Sequence, residues 1–238
     1  LARPSAIRRE VSFCEAVYDG EAFVEGVLSH RIQDVGECAG IWEMGEIPLL
    51  VDETGEAIKK FHPAAVIDAI LAKKNLGTNR AMAPLTIALG PGFLAGRDVD
   101  YVVETQRGHD LGRIVEEGWA APNTGIPGMI GGYGKERVIH SPAAGTIHSR
   151  AKISDLVEKD QVIAVISTEK NREIPVFATI SGVLRGMIRE EYQVSEGMKI
   201  ADIDPRKEQK KNCNTISDKA RCIAGTVVEI LLSEGIVP

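Results

Sequence analysis

Short apolar runs, separated by clusters of glycine, proline and hydrogen-bonding side chains, set the rhythm of the first half of the chain. Residues 47–51 form one such run, closed by Asp52, Glu53 and Gly55 as a buried strand would be. His62 and Pro63 then open a predicted helix, with Pro63 suited to its first turn. Val66, Ile67, Ile70 and Leu71 give that helix an apolar stripe, and Asn75 and Gly77 stop it. Residues 85–89 read as a second strand that Gly90-Pro91-Gly92 ends abruptly, and residues 100–104 as a third. Strand, helix and strand with glycine-rich exits predict a parallel sheet covered by helices. Ligands in such sheets bind at the carboxyl ends of the strands, where the Gly90 and Thr105 loops fall.

The pattern then changes period. Residues 138–204 contain an internal repeat offset by 37 positions, from Gly145 to Gly182. The same shift places Ile147 on Leu184, Val157 on Val194, Ile163 on Ile200, Ala164 on Ala201 and Ile166 on Ile203. One copy exposes an apolar face it cannot cover alone, so the two are expected to close as a small barrel or sandwich. The segment resembles the biotinyl/lipoyl-type pseudo-duplicated barrel. A charged linker over 207–212 follows. Thr215-Ile216-Ser217-Asp218 is a capping-box-like start to a last helix. Ala220, Ile223, Ala224, Val227, Val228, Leu231 and Leu232 mark its apolar face, and Gly235 ends it.

The expected fold class is therefore α/β. It comprises an incomplete Rossmann-like parallel-sheet domain over residues 1–137 and a pseudo-duplicated β barrel-sandwich over 138–205. The linker and helix over 206–238 are expected to pack on the α/β domain.

Composition narrows the function without naming it. The 238 residues are 44% hydrophobic and 26% charged, as in an ordinary soluble protein. A net charge of −6 argues against nonspecific nucleic-acid binding, and 5% aromatics against a base-stacking platform. No apolar run approaches the ~20 residues of a membrane span. Cys14, Cys38, Cys213 and Cys222 show no C-x2-C spacing, so no metal site is expected. Reduced cytoplasmic thiols are the simplest reading, since no signal peptide opens the sequence. The first residue is Leu1 rather than methionine, so an upstream segment is expected to have been removed.

Candidate chemistry concentrates in the glycine-rich loops. Gly90 and Gly92 are placed to cradle a phosphate, although Pro91 removes one donor and a plain tight turn explains the same residues. Glu104, Thr105, Arg107, His109 and Arg113 bring charges, a hydroxyl and an imidazole together. His109 is the candidate acid or base, metal ligand or anion contact, against the alternative of a helix cap. Asn123 and Thr124 sit in turn chemistry beside that cluster. Asp218, Lys219 and Arg221 stand at a helix start, whose free N–H groups favour anions, although such residues are ordinary in a first turn. Asp204-Pro205-Arg206 is a charge pair that equally well ends a strand. Lys170 lies where biotinyl and lipoyl carriers present their modified lysine, but reads best as a solvated hairpin residue.

Taken in order, the motifs point to a family. They are G-P-G-F-x-A-G-x-D-V-D-x-V-V-E-T-x-R-G-H-x-L-G-R from Gly90, P-N-T-G-I-P-G from Pro122, K-I-A-D-I-D-P-R from Lys199 and T-I-S-D-K-A-R from Thr215. Together with residues 5–13 and 17–20, they resemble the YqeB-type accessory proteins of selenium-dependent molybdenum hydroxylase systems. The resemblance implies a cytoplasmic bacterial factor that helps mature or insert a molybdenum–pterin–selenium centre. It supplies a pathway rather than a reaction. The implied partners are a molybdenum hydroxylase or its maturation machinery, a small anionic ligand and further copies of the chain.

A molybdenum–pterin species, a nucleotide or an oxyanion would be held by Arg107, His109, Arg113, Asn123 and Thr124. The family also implies a preceding strand and Gly-Ala-Gly-Asp-type turn that this chain lacks, and a shorter hairpin than residues 167–172. Two other functions remain open: a Rossmann-like redox or transfer enzyme using His109, and a carrier modified at Lys170. Intact mass from a host competent in lipoylation and biotinylation is expected to show an unmodified Lys170; an adduct there would reinstate the carrier.

Overall fold

The computed structural model describes residues 2–236. The chain forms two compact units, each built from separated segments. One comprises the residues up to Val51 together with Ile126–Thr215; the other comprises Asp52–Gly125 together with the residues from Ile216 on. A division at 137 and 205 does not anticipate this interleaving.

The first unit begins with a short helix α1 (Ala16–Asp19) and a three-stranded sheet. Strands β1 (Glu21–Val24) and β2 (Val27–Ile32) form a hairpin. Its two turn residues, Glu25 and Gly26, both have positive φ (46° and 91°), the twist that two-residue hairpins favour. Helix α2 (Cys38–Glu43) then leads into β3 (Ile47–Leu50), which pairs in parallel with β2. The apolar run at 47–51 is thus a strand of this mixed sheet.

The second unit carries a four-stranded sheet. Helix α3 (Glu56–Phe61) precedes β4 (Ala65–Asp68), β5 (Leu85–Leu89), the short β6 (Leu94–Ala95), β7 (Tyr101–Val103), β8 (Ile114–Val115) and β9 (Gly118–Trp119). The sheet order is β4-β5-β7-β8, with β8 antiparallel to the other three. The helix expected after Pro63 is absent. Val66 and Ile67 instead pair with Thr86 and Ile87, because an apolar run this short suits strand or helix equally. Leu71 and Lys73 are left-handed (φ 58° and 61°), which no helix through them permits.

Helix α4 (Asp218–Ser233) covers one face of this sheet. Ile223, Val227, Ile230 and Leu231 pack on Leu85, Ile87 and Val103. Val228 and Leu232, placed on the inner stripe by the sequence, are each 53% exposed. Phe93, Ala95, Val99 and Ala120 gather with Ala88 and Val102 in a separate small core.

The remainder of the first unit is the repeat. Its strands are β10 (Val138–His140), β11 (Gly145–Ser149), β12 (Leu156–Val157), β13 (Val162–Ser167), β14 (Glu173–Phe177), β15 (Gly182–Met187), β16 (Gln193–Val194) and β17 (Lys199–Asp204). They form two antiparallel sheets, β10-β17-β15-β12 and β14-β13-β11-β16. A shift of 37 residues, from Gly145 to Gly182, carries one sheet order onto the other.

The same shift governs individual hydrogen bonds. Ser154 N–H donates to Leu184 O as Glu191 N–H donates to Ile147 O, and Asp160 N–H donates to Ala178 O as Gly197 N–H donates to Ser141 O. Ile147, Ile163, Ile166, Leu184, Ile200 and Ile203 fill the shared core. The charged run Lys207–Asn212 is a 3-10 helix rather than an open linker.

These sheets correct the expected fold class. The N-terminal region is not an incomplete Rossmann-like parallel-sheet domain. It holds small mixed sheets, and no α-helix crosses between the parallel neighbours β4 and β5. The repeat does not close as a biotinyl/lipoyl-like barrel either. Among the described residues no ladder joins an edge strand of one antiparallel sheet to an edge strand of the other.

The repeat depends on two glycines at equivalent positions. A Cβ on Gly145 would overlap the Ser167 carbonyl, and one on Gly182 the Asp204 carbonyl. Gly182→Ala is expected to destabilise this unit by about 3 kcal/mol in urea unfolding. Gly40→Ala, in α2 with open space at its Cβ, should stay within about 1 kcal/mol of the parent.

Candidate functional site

The carboxyl end of β7 in the second unit is organised by Glu104. Its side chain is buried, and a buried carboxylate is costly unless its oxygens are satisfied. One oxygen accepts from Gln106 N–H and the other from Ala121 N–H, both at 2.6 Å. Its backbone also pairs twice with the returning chain, N–H to Arg113 O and C=O from Gly112 N–H, each 2.9 Å. The loop that leaves β7 is therefore tied at both ends to one residue.

Gly112 seats that loop on α4. A Cβ there would lie 2.7 Å from Cys222 Sγ and 3.0 Å from Thr226 Oγ1, and its φ is +81°. Thr226 Oγ1 donates to Gly112 O at 2.7 Å, and Cys222 Sγ donates to Leu111 O at 3.4 Å. Arg107, further out on the same loop, grips Asp218 through two bonds of 2.8 and 2.7 Å. Ser217 caps the helix by accepting from Ala220 N–H at 3.2 Å.

This arrangement leaves Lys219 in an unusual position. The residue is half-buried in the first turn of a sixteen-residue helix, where the helix dipole disfavours a cation. Both nearby acids are engaged elsewhere, Asp218 by Arg107 and Glu104 by backbone amides. Among the described residues Lys219 has no ion-pair partner. Burial pushes its ammonium below the ordinary lysine value of 10.5 and Arg107 pushes it the same way, against a weaker pull from Glu104. Lys219 is the one charged group of this set without a direct ion-pair or side-chain hydrogen-bond partner among the described residues.

The other sequence candidates divide. Gly90 and Gly92 are needed for close packing rather than for an open cradle. Gly90 N–H donates to Val103 O at 2.9 Å, and a Cβ there would lie 2.6 Å from Thr105 Oγ1. A Cβ on Gly92 would lie 2.6 Å from the Lys74 backbone nitrogen. Thr105 is buried beneath Gly90. His109 is exposed, on a turn where Leu111 N–H donates to Gly108 O. Arg113 is exposed and paired with Asp110 at 2.8 Å. Arg221 donates to Ile216 O at 2.8 Å. Asn123 and Thr124 lie on an exposed segment without regular secondary structure, and Asp204 and Arg206 pair with each other in the other unit.

The structure thus brings Glu104, Thr105, Arg107, Asp218 and Lys219 together. The sequence did not reveal Glu104 as the keystone or Gly112 as the seat for α4. It also missed Asp68, buried at the end of β4 and accepting from Thr78 Oγ1 at 2.6 Å. An acid just after an apolar strand was the available signal for Glu104 and Asp68. Nothing in the sequence marks Lys219 as the unpaired member.

The chain is 46% identical over 232 residues to the uncharacterized protein YqeB of Escherichia coli K12. The match supports a YqeB-type family. It covers 98% of this chain and 42% of that protein, so the chain spans less than half the length of the curated relative. No family model matches.

Partial likenesses to solved structures include a succinylglutamate desuccinylase/aspartoacylase from Rhodobacter sphaeroides, at 11% identity and TM-score 0.27 over 29% of this chain and 21% of that one. Another is a succinylglutamate desuccinylase from Silicibacter, at 16% identity and TM-score 0.26 over 59% and 51% of the two chains. No helix among the described residues is long and apolar enough to cross a membrane.

The lowered Lys219 value fixes the sign of a pH effect. A lysine that binds its proton more weakly in the folded state costs stability while both states are charged. That cost fades as pH rises toward the unfolded value of 10.5. Lys219→Met, which keeps the apolar stem, should melt above the parent at pH 7, with the gap narrowing toward pH 10.5. Equal melting temperatures at neutral pH would contradict this.

Proposed function

We propose that the start of α4 and the loop from Glu104 to Arg113 bind a small anion, and that the protein is an accessory or maturation factor for a molybdenum hydroxylase. The carrying observation is the half-buried Lys219, left without an acid at a helix N-terminus beside Arg107. An anion there would accept helix N–H groups, compensate Lys219 and lie within reach of Arg107. An oxyanion, or the phosphate of a pterin or nucleotide, has that chemistry. The pathway rests on the resemblance carried by the Gly90, Pro122, Lys199 and Thr215 motifs.

The enzymatic reading, with His109 as acid or base, is weaker. A catalytic base needs a group that orients it, and exposed His109 sits on a turn with no hydrogen-bond partner among the described residues. Lys170 likewise lies on an exposed turn of the hairpin between β13 and β14.

Calorimetric titration with phosphate, molybdate and a pterin phosphate tests the anion site. Lys219→Met should weaken binding at least about tenfold, since a hydrogen bond to a charged group contributes about 1.5–3 kcal/mol. His109→Ala should leave it within about twofold. Absence of binding for all three ligands, or a larger loss in His109→Ala than in Lys219→Met, would overturn the assignment.

A further inference from the structure

The duplication provides an internal comparison for a second site, in the other unit. A cleft of about 690 Å³ is lined by Arg9, Arg150, Lys152, Ile153, Met187 and Glu190, among others. It draws on both copies of the repeat at equivalent positions. The shift that carries Gly145 onto Gly182 also carries Arg150 onto Met187, Lys152 onto Arg189 and Ile153 onto Glu190. The backbone obeys the same equivalence here, with Asp155 N–H donating to Lys152 O as Tyr192 N–H donates to Arg189 O. The two turns are one structure used twice.

Their side chains meet different company. In the second copy, Arg189 is fully engaged by the N-terminal segment. It donates to Glu15 at 3.0 Å and to both carboxylate oxygens of Asp19, at 2.7 and 2.5 Å, and lies over the Tyr18 ring at 4.7 Å. In the first copy no segment among the described residues plays that part. Among the described residues neither Lys152 nor Arg150 has an ion-pair partner, and both line the open cleft. Arg9 lies beside them, held by donating to Met187 O at 2.9 Å, but it is already paired with Glu15 at 3.5 Å. Of the two acids in the lining, Glu190 is already spent on His148 at 3.0 Å and on Ser149 N–H at 2.6 Å. Glu10 marks the remaining acidic rim.

We infer that this cleft binds a small polycarboxylate, whose carboxylates take at Lys152 and Arg150 the part that Glu15 and Asp19 play at Arg189. The volume suits a ligand of that size, since small-molecule sites run from about 300 to 1,000 Å³. Ile153, only partly buried, would cover part of its carbon skeleton, and Glu10 disfavours a ligand charged on every side. The site is separate from the anion site at α4 and does not rest on it.

The test is calorimetric titration of the full chain with citrate, succinate and phosphate, in a Lys219→Met background so that the α4 site does not contribute. Citrate is expected to bind more tightly than phosphate. Arg150→Ala and Lys152→Ala should each weaken citrate about tenfold, as loss of a close charge pair does. Glu10→Gln should tighten it, and Lys170→Ala, on the distant hairpin turn, should leave it unchanged. All four positions are on the surface, and matched melting temperatures confirm folding. Phosphate binding as tightly as citrate, or citrate affinity indifferent to Arg150 and Lys152, would overturn the inference.

Discussion

The buried carboxylate of Glu104 is the constraint on which the second unit depends. Removing a carboxylate from water costs several kcal/mol unless fixed donors replace the lost hydration. Here two backbone amides do so, Gln106 in the loop that follows and Ala121 just beyond β9, while the backbone of Glu104 pairs with Gly112 and Arg113 at the loop's far end. The loop consequently has little freedom. Its closure brings Gly112 against Cys222 and Thr226, and that contact sets where α4 lies on the sheet. Arg107 then reaches Asp218, and the acid that would otherwise compensate Lys219 is consumed. The functional asymmetry follows from the structural one. A cation is left at a helix start because every local acid already has a task.

The repeat solves a different problem by symmetry. Each copy contributes strands to both sheets, so neither sheet is complete without the other copy. Gly145 and Gly182 allow the close approach that this exchange requires, each beneath a carbonyl of the strand it pairs with. Symmetry of backbone does not impose symmetry of surface. The N-terminal segment adds its acids to one turn only, through Arg189. The equivalent turn keeps its basic side chains toward solvent.

Much of this architecture was readable from apolar spacing. The strand at 85–89, the last helix and the 37-residue offset from Gly145 to Gly182 all follow from local periodicity and coincide with β5, α4 and the paired sheets. The global arrangement was not readable. Residues 66–71 suit helix and strand equally, and pairing with β5 decided for strand, which removed the helix a Rossmann-like sheet requires. The capping signals before α4 were clear, yet the spacing could not tell that Val228 and Leu232 would face solvent. The candidate site was legible as a cluster. Its hierarchy was not, because the task of each acid is set by contacts such as Arg107 with Asp218, 111 positions apart.

The most direct measurement is an NMR titration of the Lys219 ammonium, with and without phosphate. Lys219 is predicted to titrate below the ordinary value of 10.5 when free, and to rise when phosphate is present. Lys219 titrating at the ordinary value, and unmoved by phosphate, would contradict an anion site at the start of α4.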